Sequence, residues 1–217
     1  MESVQVLLIG GDHNFEELAP ILKRSLERQE HVSVTVSTNW DELRAGNVSD
    51  YDVVVDYLVD YHGEMTDEQR SGLLSFVRDG GGYVGLHGAA AMFGAEKGGE
   101  DALLDEQKRM LRGRFVDHAD ISDVKTEIID STHPITAELA DFSLVDEPYE
   151  LEYREQEIRV LAQTHHESFG QMPVAWTTSY GDGRVFYYSA GHDKQAFQDP
   201  HFQQLVRRGV EWAAKLL

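Results

Sequence analysis

Four of the ten histidines in this 217-residue chain follow segments that predict β-strands. These are His13, His62, His87 and His192. Imidazole titrates near neutral pH and is a common ligand of zinc, manganese and iron. Histidines gathered at one place could therefore transfer protons or bind a divalent metal, provided that the fold brings them together.

His87 lies at a predicted strand-to-helix corner in the segment Gly82–Ala91, GYVGLHGAAA. A strand that turns sharply into a helix leaves room only for small residues beside the projecting side chain. The neighbours of His87 meet that requirement: Gly85, Gly88, Ala89 and Ala90. A helix beginning here would direct its N-terminal N–H groups at the site and favour negative charge there. The spacing is similar to Gly-x-nucleophile-x-Gly, with histidine at the nucleophile position.

The first part of the chain alternates between predicted strands and helices. The strands are Val4–Ile9, His31–Ser37, Tyr51–Leu58 and a fourth from Gly82. Thr66 and Gln69 form a capping box that begins the helix before the fourth strand. This alternation predicts a parallel sheet with helices on both faces. Ligands bind beyond the C-terminal ends of such strands, where Asp56, His87 and His192 are expected.

The later part of the chain predicts a looser mixture of elements. Met92–Gly99 is rich in glycine and predicts a loop, followed by a helix at Ala102–Leu111. The predicted strands are Val124–Ile129, Phe142–Leu151, Ile158–Thr164, Pro173–Thr178 and Arg184–Ser189. A hairpin turn is predicted at 181–183, a short helix at Ile135–Leu139 and a closing helix at His201–Leu217. Without an internal repeat or linker, residues 1–217 are interpreted as a single domain.

Composition excludes several kinds of chemistry and partner. The chain has no cysteine, which excludes disulfides, thiolate metal sites and a cysteine nucleophile. Its net charge of −20 repels nucleic acid and anionic lipid, so neither is an expected partner. The acidity favours adaptation to high salt, and the absence of a long apolar run or signal peptide favours a cytoplasmic protein. The runs Gly10–Gly11 and Gly80–Gly82 lack the P-loop lysine and the dinucleotide-binding spacing, which argues against nucleotide binding.

Several segments, in order along the chain, resemble the trehalose-utilisation, or ThuA-like, family. They are Gly80–Ala89 (GGGYVGLHGA), His133–Thr136 (HPIT), Asp146–Tyr149 (DEPY), Pro173–His192 (PVAWTTSYGDGRVFYYSAGH) and Arg208–Ala213 (RGVEWA). That family belongs to the class I glutamine amidotransferase-like superfamily. The resemblance implies an α/β fold: a three-layer flavodoxin-like sandwich with a mostly parallel central sheet.

The resemblance also implies roles for particular residues. His87 occupies the position of the amidotransferase cysteine and His192 that of its histidine, with Asp193 near the acid and expected to orient His192. Because the chain has no cysteine, glutamine hydrolysis through a thioester is excluded. The expected catalytic set is His87, His192, Asp193 and Glu147, and the expected substrate-binding set is His13, Asp56 and Tyr149.

Two kinds of chemistry remain open for the histidine pair. The imidazoles could act as acid and base, or they could bind a divalent metal such as zinc. His118, where the family usually has a histidine too, is the predicted third ligand beside His87 and His192, and Glu147 is a further candidate.

The function that follows from the resemblance is action on a carbohydrate, either a trehalose-like disaccharide or its keto derivative. The predicted partner is therefore a small sugar ligand, and a sheet of this size could also support a homo-oligomer. The alternative is a non-catalytic ligand-binding or interaction domain on an amidotransferase-like scaffold.

Overall fold

Strands account for much of the computed structural model, which describes residues 3–11, 14–59, 64–91 and 102–217. The strands are β1 (Val4–Gly10), β2 (Val32–Ser37), β3 (Val53–Tyr57), β4 (Gly82–Leu86), β5 (Gly113–His118), β6 (Ser122–Ile128), β7 (Phe142–Asp146), β8 (Tyr149–Tyr153), β9 (Arg159–His166), β10 (Gly170–Tyr180) and β11 (Gly183–Tyr188). The helices are α1 (Phe15–Leu26), α2 (Ala45–Val48), α3 (Asp67–Arg78), α4 (Ala102–Leu111), α5 (Lys194–Gln198) and α6 (Pro200–Ala213).

The central sheet is mixed rather than mostly parallel. Its nine strands follow the order β2-β1-β3-β4-β11-β10-β9-β6-β7. Neighbours are parallel from β2 to β11 and antiparallel from β11 to β7. The direction changes at the two-residue turn between β10 and β11, because a hairpin can join only antiparallel strands. The predicted parallel sheet therefore forms one half of the observed sheet.

Apolar residues of the strands face two separate hydrophobic clusters. One cluster contains side chains of α1 and α6, and the other contains side chains of α3 and α4. This packing explains why β3 and β4 are buried along their whole length. The α/β class is thus confirmed, whereas the more specific three-layer flavodoxin-like sandwich stays a prediction.

Local signals located some elements accurately. The predicted helix Ala102–Leu111 coincides with α4, and both arms of the Thr66–Gln69 capping box are present at the start of α3. The predicted short helix Ile135–Leu139 is not formed, since residues 134–138 are turns. The predicted loop Met92–Gly99 lies outside the described residues.

The predicted strand Phe142–Leu151 is wrong as a single element. It is divided into β7, which pairs with β6 in the large sheet, and β8, which pairs with β5 in a separate two-stranded ribbon. The break falls at Glu147-Pro148, where proline has no N–H to continue a ladder. This break directs Glu147 away from both strands and is the local origin of its place in the site. No helix in the described part of the chain is long and apolar enough to cross a membrane.

Candidate functional site

His87 occupies a strained corner at the end of β4. Its φ is +42°, a left-handed conformation that costs a non-glycine residue of the order of 1–3 kcal/mol. The hydroxyl of Tyr187 donates to the His87 carbonyl at 2.9 Å and helps to hold the corner. In the described residues the predicted helix after His87 is one short 3-10 turn, His87–Ala90. The predicted need for small neighbours is met at Gly88, where a Cβ would come within 2.2 Å of Val59.

The ring of His87 is oriented by two hydrogen bonds. Its Nδ1 lies 3.0 Å from the carbonyl oxygen of Ser189. A carbonyl only accepts, so Nδ1 carries a proton, and in the neutral ring Nε2 presents a lone pair to the site. The hydroxyl of Tyr149 lies 2.8 Å from Nε2 and therefore donates to it. Both His87 and Tyr149 are buried.

His192 and Glu147 converge on the same nitrogen of His87. Nδ1 of His192 lies 3.3 Å from Nε2 of His87. Oε2 of Glu147 lies 3.6 Å from Nε2 of His87 and 3.3 Å from Nδ1 of His192. Hydrogen bonding to Glu147 raises the pKa of His192. This effect is larger than that of partial burial, which lowers the pKa. Residues far apart in the sequence thus place three potential ligand atoms at the corners of a small triangle.

This triangle has the size that a zinc ion requires. With bonds of about 2.0–2.2 Å in a tetrahedral arrangement, zinc holds its ligand atoms about 3.4 Å apart. The three atoms of His87, Glu147 and His192 lie between 3.3 and 3.6 Å from one another. Metal-binding histidines commonly donate their second ring N–H to a carbonyl, as His87 does to Ser189. The donor set and the outer contact of His87 both fit a divalent metal.

Among the described residues of the cluster, His118, the predicted third ligand, contacts Glu147 rather than His87 or His192. Its Nδ1 is 3.1 Å from Oε1 of Glu147, the carboxylate oxygen that does not face His87. Its side chain is 48% exposed, against 12% for Glu147. The ligand group in the described residues therefore consists of His87, Glu147 and His192, with His118 in contact with Glu147.

Asp146 joins the site's backbone segments and was not among the predicted site residues. Its carboxylate accepts from the backbone N–H groups of Gly191 at 2.6 Å, His192 at 2.9 Å and Glu147 at 2.8 Å. Burial raises the pKa of Asp146 to about 6, although these three donors favour its charged form. Asp146 opens the motif Asp146–Tyr149, so the resemblance contained a signal for it.

Asp193 has a different place from the one expected. Its side chain accepts from the backbone N–H groups of Gln195 at 2.8 Å and Ala196 at 3.3 Å and so caps α5. The backbone of His192 is held by Asp146 instead. Asp193 still adds negative charge near His192, which favours the charged imidazole.

The other predicted substrate-binding residues lie at different depths. Asp56 is buried at the end of β3, where it accepts from the N–H of Leu58 at 2.8 Å and the hydroxyl of Tyr83 at 2.7 Å. Tyr149 is part of the cluster through its bond to His87. His13 and His62 lie outside the described residues, so the structure brings together two of the four histidines first considered.

Known structures share this fold at low sequence identity. A ThuA-like protein from Parabacteroides merdae superposes with a TM-score of 0.80 at 23% identity, over 98% of this chain and 90% of that chain. A ThuA-like protein from Bacteroides uniformis gives 0.78 at 21%, over 98% and 91%. A cold-adapted β-galactosidase from Rahnella sp. R3 gives 0.69 at 15%, over 100% of this chain but only 32% of that chain.

The sequence itself matches one family over almost its whole length. No curated protein matches the chain. The ThuA family, described as trehalose utilisation, matches residues 5–213, a range that contains every described residue of the histidine–carboxylate cluster. The chain belongs to the ThuA (trehalose utilisation) family.

Proposed function

We propose that this protein acts on a carbohydrate, a trehalose-like disaccharide or its keto derivative, at a site formed by His87, Glu147 and His192 that binds a divalent metal such as zinc. The observation that carries the proposal is the convergence of Nε2, Oε2 and Nδ1 of these residues within 3.6 Å of one another. The sugar class rests on the description of the family. The partner is a small molecule rather than nucleic acid or a membrane.

The charges of the three groups favour a bound cation. The lone pair on Nε2 of His87 faces the Glu147 carboxylate at 3.6 Å, and two electron-rich atoms repel unless a positive centre lies between them. In the metal-free protein the hydroxyl of Tyr149 and a proton on His192 can supply that positive charge. A divalent ion supplies more charge at the same place and also polarises a sugar hydroxyl or carbonyl oxygen.

Tyr149 changes role if a metal binds. His87 would use for a bound metal the same Nε2 lone pair to which Tyr149 donates at 2.8 Å. The hydroxyl of Tyr149 would then donate to an oxygen of the substrate, which agrees with the expected substrate-binding role. His13 and Asp56 complete the proposed sugar contacts. Glu147 and His192 remain the candidates for holding or accepting a substrate proton when no metal is bound.

The scaffold in this proposal is a single three-layer flavodoxin-like domain of the class I glutamine amidotransferase-like superfamily. His87 stands at the elbow where the amidotransferases have a cysteine. An imidazole at that position provides a buried ligand atom instead of a thiol. The proposed chemistry therefore uses the same corner for metal or proton binding rather than for a thioester.

The test is metal binding by chelator-treated protein, followed by calorimetric titration with zinc and manganese. We expect about one ion per chain, with affinity reduced at least about 100-fold in His87→Asn and Glu147→Gln. Asparagine tolerates the left-handed backbone of His87, which protects the fold. His165→Asn changes an exposed histidine of β9 and is the matched control. Equal binding by His87→Asn and wild type would overturn the metal assignment.

The carbohydrate part of the proposal is tested separately. Trehalose-like disaccharides and their keto derivatives are offered to the metal-loaded protein, and both thermal stabilisation and turnover are measured. We expect turnover that is lost when His87 and His192 are both changed to alanine. Sugar binding without turnover would support the non-catalytic alternative.

A further inference from the structure

A second cleft lies at the opposite end of the β5–β8 ribbon from the histidine cluster. The site end of the ribbon pairs His118 with Tyr149, and the far end pairs Gly113 with Tyr153. Four residue steps along β8 separate these ends by about 13 Å. The far end borders a cleft of about 350 Å³, within the range of small-molecule sites. We refer to it as the basic cleft.

The basic cleft concentrates positive charge in a strongly acidic protein. Five cationic side chains line it: Lys108, Arg109, Arg112, Arg114 and Arg154. Two acids, Asp105 and Glu152, also line it, and two more, Glu106 and Glu157, form ion pairs with Arg109 and Arg112, which leaves a local charge of +1. The whole chain carries −20 and contains 19 lysines and arginines. A net negative charge repels anions. The positively charged cleft is therefore a place on this protein where an anion is attracted.

The ion pairs around the cleft are of a kind that an incoming anion can replace. Arg114 contacts Glu152 at 2.5 Å, and Arg109 contacts Glu106 at 3.1 Å. The arginines of both pairs are about half exposed, at 47% and 59%. Exposed pairs stabilise a fold weakly, so exchanging a carboxylate partner for a doubly charged anion is favourable.

Arg112 combines a left-handed backbone with a buried side-chain donor that has no hydrogen-bond partner. It follows α4 with φ +59°, a left-handed position where glycine or asparagine is usual. Its Nη1 contacts Glu157 at 2.8 Å, but its buried Nε has no hydrogen-bond partner. A strained backbone and an unsatisfied donor at one arginine, in a cleft of four further cations, both indicate a residue kept for binding.

We propose that the basic cleft binds the phosphate group of a small molecule, as the dianion of phosphate or of a phosphate monoester. Arginine forks match the geometry of phosphate oxygens, and four arginines with one lysine supply more than two such contacts. The cleft is larger than a phosphate group alone, so it has room for part of an attached molecule beside Tyr153, which also lines it. This binding is separate from the proposed metal and carbohydrate site.

The test is calorimetric titration of the full chain with inorganic phosphate and with glucose 6-phosphate at low salt. We expect saturable binding that weakens about tenfold in Arg112→Asn and in Arg154→Gln. Asparagine suits the left-handed position of residue 112, and Arg154 is 63% exposed, so at least one variant keeps the fold. Glu147→Gln, at the other end of the ribbon, is expected to bind phosphate like wild type.

The matched control is Arg24→Gln, which makes the same charge change on the exposed surface of α1. Less than about a twofold effect there would separate the cleft from overall charge. Tighter binding of glucose 6-phosphate assigns the site to a sugar phosphate, and equal binding assigns it to phosphate itself. Loss of affinity in Arg24→Gln equal to that in Arg112→Asn, or no saturation by either ligand, would overturn the proposal.

Discussion

The two halves of the nine-stranded sheet contribute different groups to the histidine–carboxylate cluster. The parallel half ends in His87 after β4 and His192 after β11, two strands that are hydrogen-bonded neighbours. The antiparallel half contributes Asp146 at the end of β7 and Glu147 directly after it. Strand β7 lies at one edge of the sheet. The imidazoles thus follow strands at the centre of the sheet, and the carboxylates come from the end of an edge strand.

This difference shows what each half contributes to the geometry. Backbone pairing of β4 with β11 brings together the strand ends after which the two histidines follow. Glu147 has no such register with either strand and depends on contacts outside the sheet. A small apolar cluster of Phe142, Leu144 and Ala196 packs β7 against α5, and Asp146 adds hydrogen bonds to Gly191 and His192. Asp146 is therefore the polar link between the halves.

Removing that link gives the largest expected effect. Asp146→Ala leaves three backbone N–H groups without their acceptor, that of Gly191 buried and those of His192 and Glu147 part-buried. A buried N–H group without a partner costs about 1–3 kcal/mol. We expect the free energy of unfolding to fall by roughly 3 kcal/mol or more, and zinc affinity to fall at least about tenfold. Urea unfolding measures the first quantity and calorimetric titration the second.

Asp193→Ala is the matched control, since it removes an aspartate only one residue from His192. Its carboxylate caps α5, so we expect a loss of about 1 kcal/mol and little change in zinc affinity. If Asp193→Ala weakened zinc binding as much as Asp146→Ala, the link between the halves would not be specific to Asp146.

The parallel half should be intolerant of added volume at its corner. Gly88→Ala places a Cβ 2.2 Å from Cγ2 of the buried Val59, which we expect to cost about 1–3 kcal/mol of unfolding free energy. Gly46→Ala is the control, because nothing lies within 4 Å of its Cβ and alanine favours the helix α2. Val59→Ala should restore much of the loss in Gly88→Ala. A Gly88→Ala protein as stable as wild type would contradict this packing.

The same division explains which elements the sequence could predict. Continuous apolar runs and helix caps are local signals, so β1, β3, α3 and α4 were found close to their observed bounds. The pairing of β7 with β6 and of β8 with β5 depends on partners distant in the chain, and one alternating pattern concealed the break at Pro148. Strand direction in the antiparallel half was likewise not a local property.

The sequence predicted which histidines form the site, but it did not predict all of the contacts that hold them. His87 and His192 lie together, as topology and resemblance predicted, with a separation of 3.3 Å between ring nitrogens. The resemblance implies that Asp193 orients His192, yet its carboxylate accepts from backbone N–H groups at the start of α5. Asp146 acts on backbone atoms 45 residues away, which no local pattern reveals.

The smallest expected effect concerns the contact between the antiparallel half and helix α6, at His133. This residue lies between β6 and β7, and its ring packs against Trp212 of α6 with 5.3 Å between ring centroids. Its Nδ1 accepts from the N–H of Ile135 at 3.2 Å, so the folded protein favours the neutral ring. Burial lowers the pKa of His133 to about 4.

A histidine whose pKa is lowered in the fold stabilises it at higher pH. The contribution is complete above about pH 6.5, the ordinary value, and is lost as the pH falls toward 4. Because the ring borders an open cleft, where solvent screens its charge, we expect about 1–2 kcal/mol across this range. Asp146, whose pKa is raised to about 6, has the opposite sign and loses stabilisation as the pH rises.

His133→Asn separates these two opposing contributions. The asparagine side chain can accept from the N–H two residues on, as His133 does, but it does not titrate. The difference in unfolding free energy between wild type and His133→Asn should therefore grow as the pH rises from 4 to 6.5, while the effect of Asp146 cancels because both proteins contain it. Urea unfolding at closely spaced pH values measures this difference. A difference independent of pH would mean that His133 keeps an ordinary pKa, and that the contact with α6 does not depend on its neutral form.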